Sequence, residues 1–214
     1  MWYLPVTDRL RRIFLNPKEA ALMTWWDDER KVDDDKIAHP ADCSQWQRID
    51  EKHKEFSNDP RNVPFGLSTN GMNPFNERIS DHSTWLVILT MYNIPIWLCQ
   101  KRKYLLLTIL ISGPQQPGID IDVFLEPLMQ EMERLWRHGE QMYDAFRKED
   151  FICRAITFVT TNDYPHDVCF VWIDQREDGM LGLLGWYYMG VPRCIQEDSL
   201  PKEPTLLKDK SQLL

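Results

Sequence analysis

Two polar positions stand where apolar runs stop. The run from Val63 to Ser68 gives way to Thr69-Asn70-Gly71, and the run from Ile152 to Thr161 gives way to Asn162-Asp163-Tyr164-Pro165. A polar side chain at the end of a buried strand sits at the rim of a sheet, where a site can form. Brought together, the oxygens of Asn70 and Asp163 could serve a hard divalent cation, which takes oxygen ligands. Two such cations about 4 Å apart support phosphodiester cleavage, one activating the attacking oxygen and the other stabilising the leaving oxygen. Asp163 brings negative charge to such a site. Asn70 brings only an amide oxygen, so the metals would be held less tightly and their mutual repulsion less offset. The same residues also read as ordinary loop chemistry: Asn70-Gly71 as a sharp turn with Gly71 at positive φ, and Asp163 as a turn or cap residue.

The two tips can meet only if their strands lie side by side and point the same way. The strand signals fall at Val63–Ser68, at Trp85–Leu89 reaching towards Met91, at Tyr104–Ile111, and at Phe151–Thr161. Between the third and fourth, apolar residues recur at Ile121, Phe124, Leu125, Leu128, Met132, Leu135, Trp136, Met142 and Tyr143. That spacing predicts a long amphipathic helix, bent at Pro127 or starting near Glu126. A helix between strands makes a right-handed crossover to a parallel neighbour. The order of three strands, helix and strand therefore predicts an α/β fold with a mixed, RNase H-like sheet, its first and fourth strands parallel and both tips at one end.

The flanks divide the chain into three parts. Residues 1–60 read as a helical segment, residues 61–166 as a partial RNase H-like core, and residues 167–214 as a divergent tail, partly disordered towards its polar end. In the first part Thr7 predicts a helix cap, Asn16-Pro17 an N-cap with proline at the first helical position, and Pro40–Lys54 a further helix. The acidic stretch Asp27–Asp35 reads as a solvated loop. His39, Cys43 and His53 invite a zinc reading, but their spacing fits no standard finger and a fourth ligand is wanting.

A chain of 214 residues with 43% hydrophobic content supports one sizeable core. The net charge of -8 argues against a generally basic, nucleic-acid-binding surface, though not against a local patch. Five cysteines without a C-x-x-C pair point to reduced thiols in an intracellular, soluble protein. The order of charged and apolar residues at the start is wrong for a signal peptide. The most apolar run, Tyr104–Ile111, is far short of the roughly 20 residues needed to span a bilayer.

Several blocks in their order carry a resemblance: LPVTDRLRRIFLNPKEAALMTWW (4–26), HPADCSQWQRID (39–50), FSNDPRNVPFGLSTNGMNPF (56–75), PGIDIDVFLEPLMQEMERLW (117–136) and TTNDYP (160–165). Over roughly residues 2 to 165 the chain resembles the transposases of plant En/Spm (CACTA) DNA transposons. The resemblance implies an RNase H-like core of the DDE type that cuts and rejoins DNA with Mg²⁺ or Mn²⁺. It also implies a nuclear location, DNA as partner, and related transposase subunits as possible partners. Asn70 stands where the family typically has its first catalytic aspartate, and Asp163 matches the second acid and a metal ligand. The third acid, the cysteine-containing block after the second acid and the upstream cysteine-rich segment find no match. The expectation is a transposase fragment, catalytically inactive and truncated at both ends. Two alternatives stand beside it. One is an active enzyme that recruits Asp174, Glu177 or Asp178 as third acid. The other is a host-recruited, non-catalytic module that binds DNA or protein.

Overall fold

The computed structural model describes residues 1–31, 37–72, 83–113, 117 and 121–162. The first segment is helical, as expected. A short strand β1 (Trp2–Tyr3) leads into α1 (Val6–Leu15), α2 (Pro17–Leu22) and α3 (Trp25–Asp28). Val6, Leu10 and Phe14 recur every fourth residue and are buried, so α1 offers one apolar stripe. Thr7 is not its cap. Pro5 stands at that position, and the carboxylate of Glu131, distant in sequence, accepts the amides of Val6 at 2.8 Å and Thr7 at 2.9 Å. Glu131 also accepts from the Thr7 hydroxyl at 2.6 Å and from the Tyr3 hydroxyl. Burial works against its charge. The hydrogen bonds from Thr7, Tyr3 and the two amides outweigh it, and the carboxyl stays below its usual range. At α2 the expected cap is present: the Asn16 side chain accepts from the amide of Lys18, with Pro17 next in line.

Pro40–Lys54 does not form one helix. A single 3₁₀ turn, Pro40–Asp42, precedes α4 (Ser44–Lys52), and α5 (Lys54–Ser57) follows a break at His53. The turn is capped by His39, whose Nδ1 accepts from the amide of Ala41 at 3.1 Å. That nitrogen is thereby engaged, and His39 is 3% exposed against Trp25 and Trp46. Burial, aided by the charge of Arg30 and opposed by the Ile94 backbone, lowers its pKa to about 4. A folded pKa below the ordinary 6.5 means that the unfolded chain takes up the proton first. The stabilisation is therefore complete above pH 6.5 and is lost as the pH falls through 4. Urea unfolding is expected to show a loss of about 2 kcal/mol between pH 7 and pH 5, and His39→Gln should flatten that slope. Equal slopes for both proteins would contradict this role for His39.

The sheet follows: β2 (Val63–Met72), β3 (Thr84–Met91), a short α6 (Ile96–Cys99), β4 (Leu105–Ile111), α7 (Ile121–Arg137), β5 (Glu140–Asp144), β6 (Glu149–Cys153) and β7 (Ala155–Asn162). Five strands run in the order β1-β4-β3-β2-β7, with β2, β3 and β4 antiparallel and β7 parallel to β2. The expected pairing of the first strand with the last is thus present.

The crossover helix α7 buries Ile121, Leu125, Leu128, Met132 and Leu135. Pro127 lies inside it without ending it. Two readings of this region need correcting. Met142 and Tyr143 keep helical spacing by coincidence but belong to β5. The helix stops at Arg137, and Gly139 at φ +69° turns the chain out of it. A Cβ at Gly139 would also lie 2.4 Å from Cγ2 of Ile152. The stretch 151–161 is likewise two strands. Its first part, in β6, pairs with β5 as a separate hairpin before β7 joins the main sheet. No described helix is long and apolar enough to cross a membrane.

Candidate functional site

The parallel ladder between β2 and β7 decides where the candidate residues fall. It is anchored at its start by Asn62. The amide of Val63 donates to the carbonyl of Arg154 at 2.8 Å, and the amide of Arg154 donates to Oδ1 of Asn62 at 2.7 Å. The Asn62 side-chain nitrogen donates to the carbonyl of Phe56, and its own carbonyl accepts from Asn93. These bonds tie both strand starts to fixed partners, so neither strand can slip by one residue without losing several of them.

From that anchor the ladder runs Val63↔Ala155 to Phe65↔Thr157, shifts by one, and resumes as Gly66↔Val159 to Thr69↔Asn162. The extra residue is Phe158, whose ring packs against Trp46 at 5.3 Å and Tyr92 at 6.2 Å. A β-bulge of this kind re-aims the residues beyond it. Gly66 is needed beside it, since a Cβ there would fall 2.3 Å from the Tyr92 hydroxyl.

Asn70 follows Thr69 on β2, opposite Leu86 of β3, and is exposed. It is a strand residue and not the tip of a turn. Pairing continues through Gly71↔Trp85 to Met72↔Thr84, and among the described residues the only glycine at positive φ is Gly139. Gly71 has another use. A Cβ there would lie 2.8 Å from Cε2 of Trp85, so the indole rests against bare backbone. Asp163 lies outside the described residues, as do Asp174, Glu177, Asp178 and the acidic run Asp33-Asp34-Asp35. Among the described residues no group of three His, Cys, Asp or Glu could hold a metal ion. The zinc reading of His39, Cys43 and His53 therefore has no geometric support there.

The residues that sequence reasoning missed are those that hold the strands in place. Arg61 is 6% exposed and binds Asp59 at 2.7 Å, Glu149 at 2.8 Å and Asp144 at 3.4 Å, with its guanidinium 4.0 Å over the ring of Phe151. Trp26 donates to the carbonyl of Pro60 at 3.0 Å. The block Asn58-Asp59-Pro60-Arg61-Asn62 thus joins the helical segment, the β5–β6 hairpin and the β2–β7 ladder. Its polar residues directly ahead of a buried strand were the available signal.

Residues 34–176 match a family model described as transposase family tnp2, well over half of the 214 residues. The match takes in all of β2 to β7, begins after the block 4–26, and runs past residue 165. No curated protein and no solved structure matches the chain. On this match, with a mixed five-stranded sheet and its helical approach in place, the chain belongs to the tnp2 transposase family.

Proposed function

We propose that this chain carries the RNase H-like core of an En/Spm (CACTA) type transposase in a form that does not cut DNA. The strand order β4-β3-β2-β7, with α7 as crossover, is the order such a core uses. The observation that carries the reading is the ladder ending at Thr69↔Asn162. Asn70 and Asp163 are the next residues on the two chains. Ser68 pairs with Thr161, and strand side chains alternate, so a pairing continued past Thr69↔Asn162 would set Asn70 and Asp163 side by side. Neighbouring strands lie about 4.8 Å apart, close enough for both side chains to reach one ion.

The divalent metal implied by the family does not fit this pair well. Asn70 is exposed and neutral where a carboxylate would offset the repulsion between two dications. No catalytic step is therefore assigned to it. Binding of DNA, a nuclear place of action and association with related transposase subunits follow from the family and belong to this proposal. The test is nicking of supercoiled plasmid in Mg²⁺ and in Mn²⁺. Removal of one preorganised charge-stabilising group typically costs about 10²–10³ in rate, so cleavage should not rise above background. Metal-dependent nicking by the unmodified chain, abolished by Asp163→Ala, would overturn the proposal and favour an active enzyme.

A further inference from the structure

Where α3 meets α6, a fixed apolar surface faces outward. The amide of Trp26 donates to the carbonyl of Asn93 at 3.2 Å, which holds α3 beside the segment leading into α6. Cys99 is buried, and its Sγ donates to the carbonyl of Met91 at 3.3 Å, so α6 is pinned to the end of β3. Held this way, α6 turns Ile96, 41% exposed, and Trp97, 61% exposed, towards solvent. The Trp97 ring meets the half-buried Trp25 edge-on at 5.3 Å, and Trp25 in turn contacts the buried His39. Large apolar side chains on a rigid support are costly to leave in water, and tryptophan is enriched among the anchors of protein interfaces. The charges about the ring pair are sorted by sign. Glu29 is exposed, and its amide donates to the carbonyl of Trp25, so the two side chains share one face of α3. Lys101 and Arg102 are exposed on the turn that follows α6, where the amide of Lys101 donates to the carbonyl of Leu98. None of these three makes an ion pair among the described residues, whereas the next base, Lys103, is taken up by Glu19 and Asp28 lies 3.9 Å from Arg147. The surface thus runs from an acid on α3, through Trp25 and Trp97, to two bases beyond α6.

We propose that this surface is the contact between two copies of the chain, related by a two-fold axis near the Trp25–Trp97 pair. A two-fold contact lays one patch on itself reversed, so what lies at one end meets what lies at the other. Glu29 of each copy then meets Lys101 and Arg102 of its mate, with Ile96 and Trp97 packed between them. An apolar centre inside a polar rim is the usual anatomy of such a contact. Nucleic acid suits the surface less well, because Glu29 would stand against its phosphates beside the rings on which a base would stack. The contact leaves the candidate metal site free. α6 follows the end of β3, where Met91 pairs with Phe65, and Asn70 lies five residues further along β2, about 17 Å away. The proposal therefore stands apart from the reading of Asn70 and Asp163, and plasmid nicking does not bear on it.

Sedimentation velocity of the full chain over a concentration series tests it. The parent should pass from monomer to dimer as concentration rises, and Trp97→Ser should raise the dissociation constant by about tenfold or more. Glu29→Arg alone, and Lys101→Glu with Arg102→Glu, should each weaken the dimer, because like charges then meet at both ends of the contact. Mixed together, the two variants set opposite charges at both ends again and should recover the dissociation constant of the parent. If a charge-swapped variant does not fold, the comparison of the parent with Trp97→Ser decides. A parent that stays monomeric, a dimer indifferent to Trp97→Ser, or a mixture no tighter than its components would overturn the proposal. So would a labelled single-stranded oligonucleotide that binds the parent and not Trp97→Ser, which would assign the surface to nucleic acid.

Discussion

Arg61→Met is expected to destabilise the protein by about 3–5 kcal/mol, the loss typical when one partner is removed from a buried ion cluster. The cluster holds three carboxylates about one guanidinium. Asp59 accepts from Nε and Nη2 of Arg61, Asp144 is 1% exposed, and Glu149 closes the group from the rim. Asp144 is already committed through Oδ1 to the amides of Phe146 and Arg147, so it cannot turn away to water. The hydrogen bonds that Arg61 donates to Asp59 chiefly raise its pKa. Burial opposes the charge of Asp59, but its bonds to Arg61 hold it below its usual range. Methionine keeps much of the packing on Phe151 and removes the charge, leaving Asp59 and Asp144 without their shared guanidinium. Urea unfolding at pH 7 measures the loss. A change under about 1 kcal/mol would mean that the cluster is worth no more than a surface pair.

Leu135→Ala is expected to cost about 2–5 kcal/mol. Leu135 is fully buried in the core shared by α1, α7 and the sheet. The range reflects how far the neighbours can close over the lost methyl groups. A change below about 0.5 kcal/mol would mean that this face of α7 is wet and that the crossover packs differently. A useful contrast is Val123→Ala on the same helix. Val123 is 68% exposed, so its substitution should fall within about 0.5 kcal/mol of the parent.

What could be read from the sequence follows from how far each signal is local. The stripe Ile121–Leu135 repeats over four turns, and only a helix gives it one face. The parallel pairing of β2 and β7 followed from element order and the handedness of crossovers. The errors arose where a local pattern had two physical uses. Asn70-Gly71 has turn chemistry, but the glycine serves the close approach of the Trp85 indole within a strand. Met142 continues the helical spacing past Gly139, and only the positive φ of that glycine separates helix from hairpin. Phe158 reads as one strand residue among several, while the bulge it makes depends on Trp46 and Tyr92 from distant segments. No local pattern marks Glu131 or Arg61. Their partners lie 124 to 128 residues away for Glu131, and 83 and 88 residues away for Asp144 and Glu149 about Arg61, beyond any local pattern.

We propose that Asn70 and Asp163 together make one substituted metal site. Mn²⁺ titration followed by electron paramagnetic resonance tests it most directly, on the parent chain, Asn70→Asp, and Asn70→Asp with Asp163→Ala. Asn70→Asp would add a second carboxylate to the proposed pair. It should tighten Mn²⁺ binding by about tenfold or more, equivalent to at least about 1.4 kcal/mol. The gain should vanish in the double variant, and cleavage should not appear in either. No gain in Asn70→Asp, or a gain that survives Asp163→Ala, would contradict the pairing of these two residues.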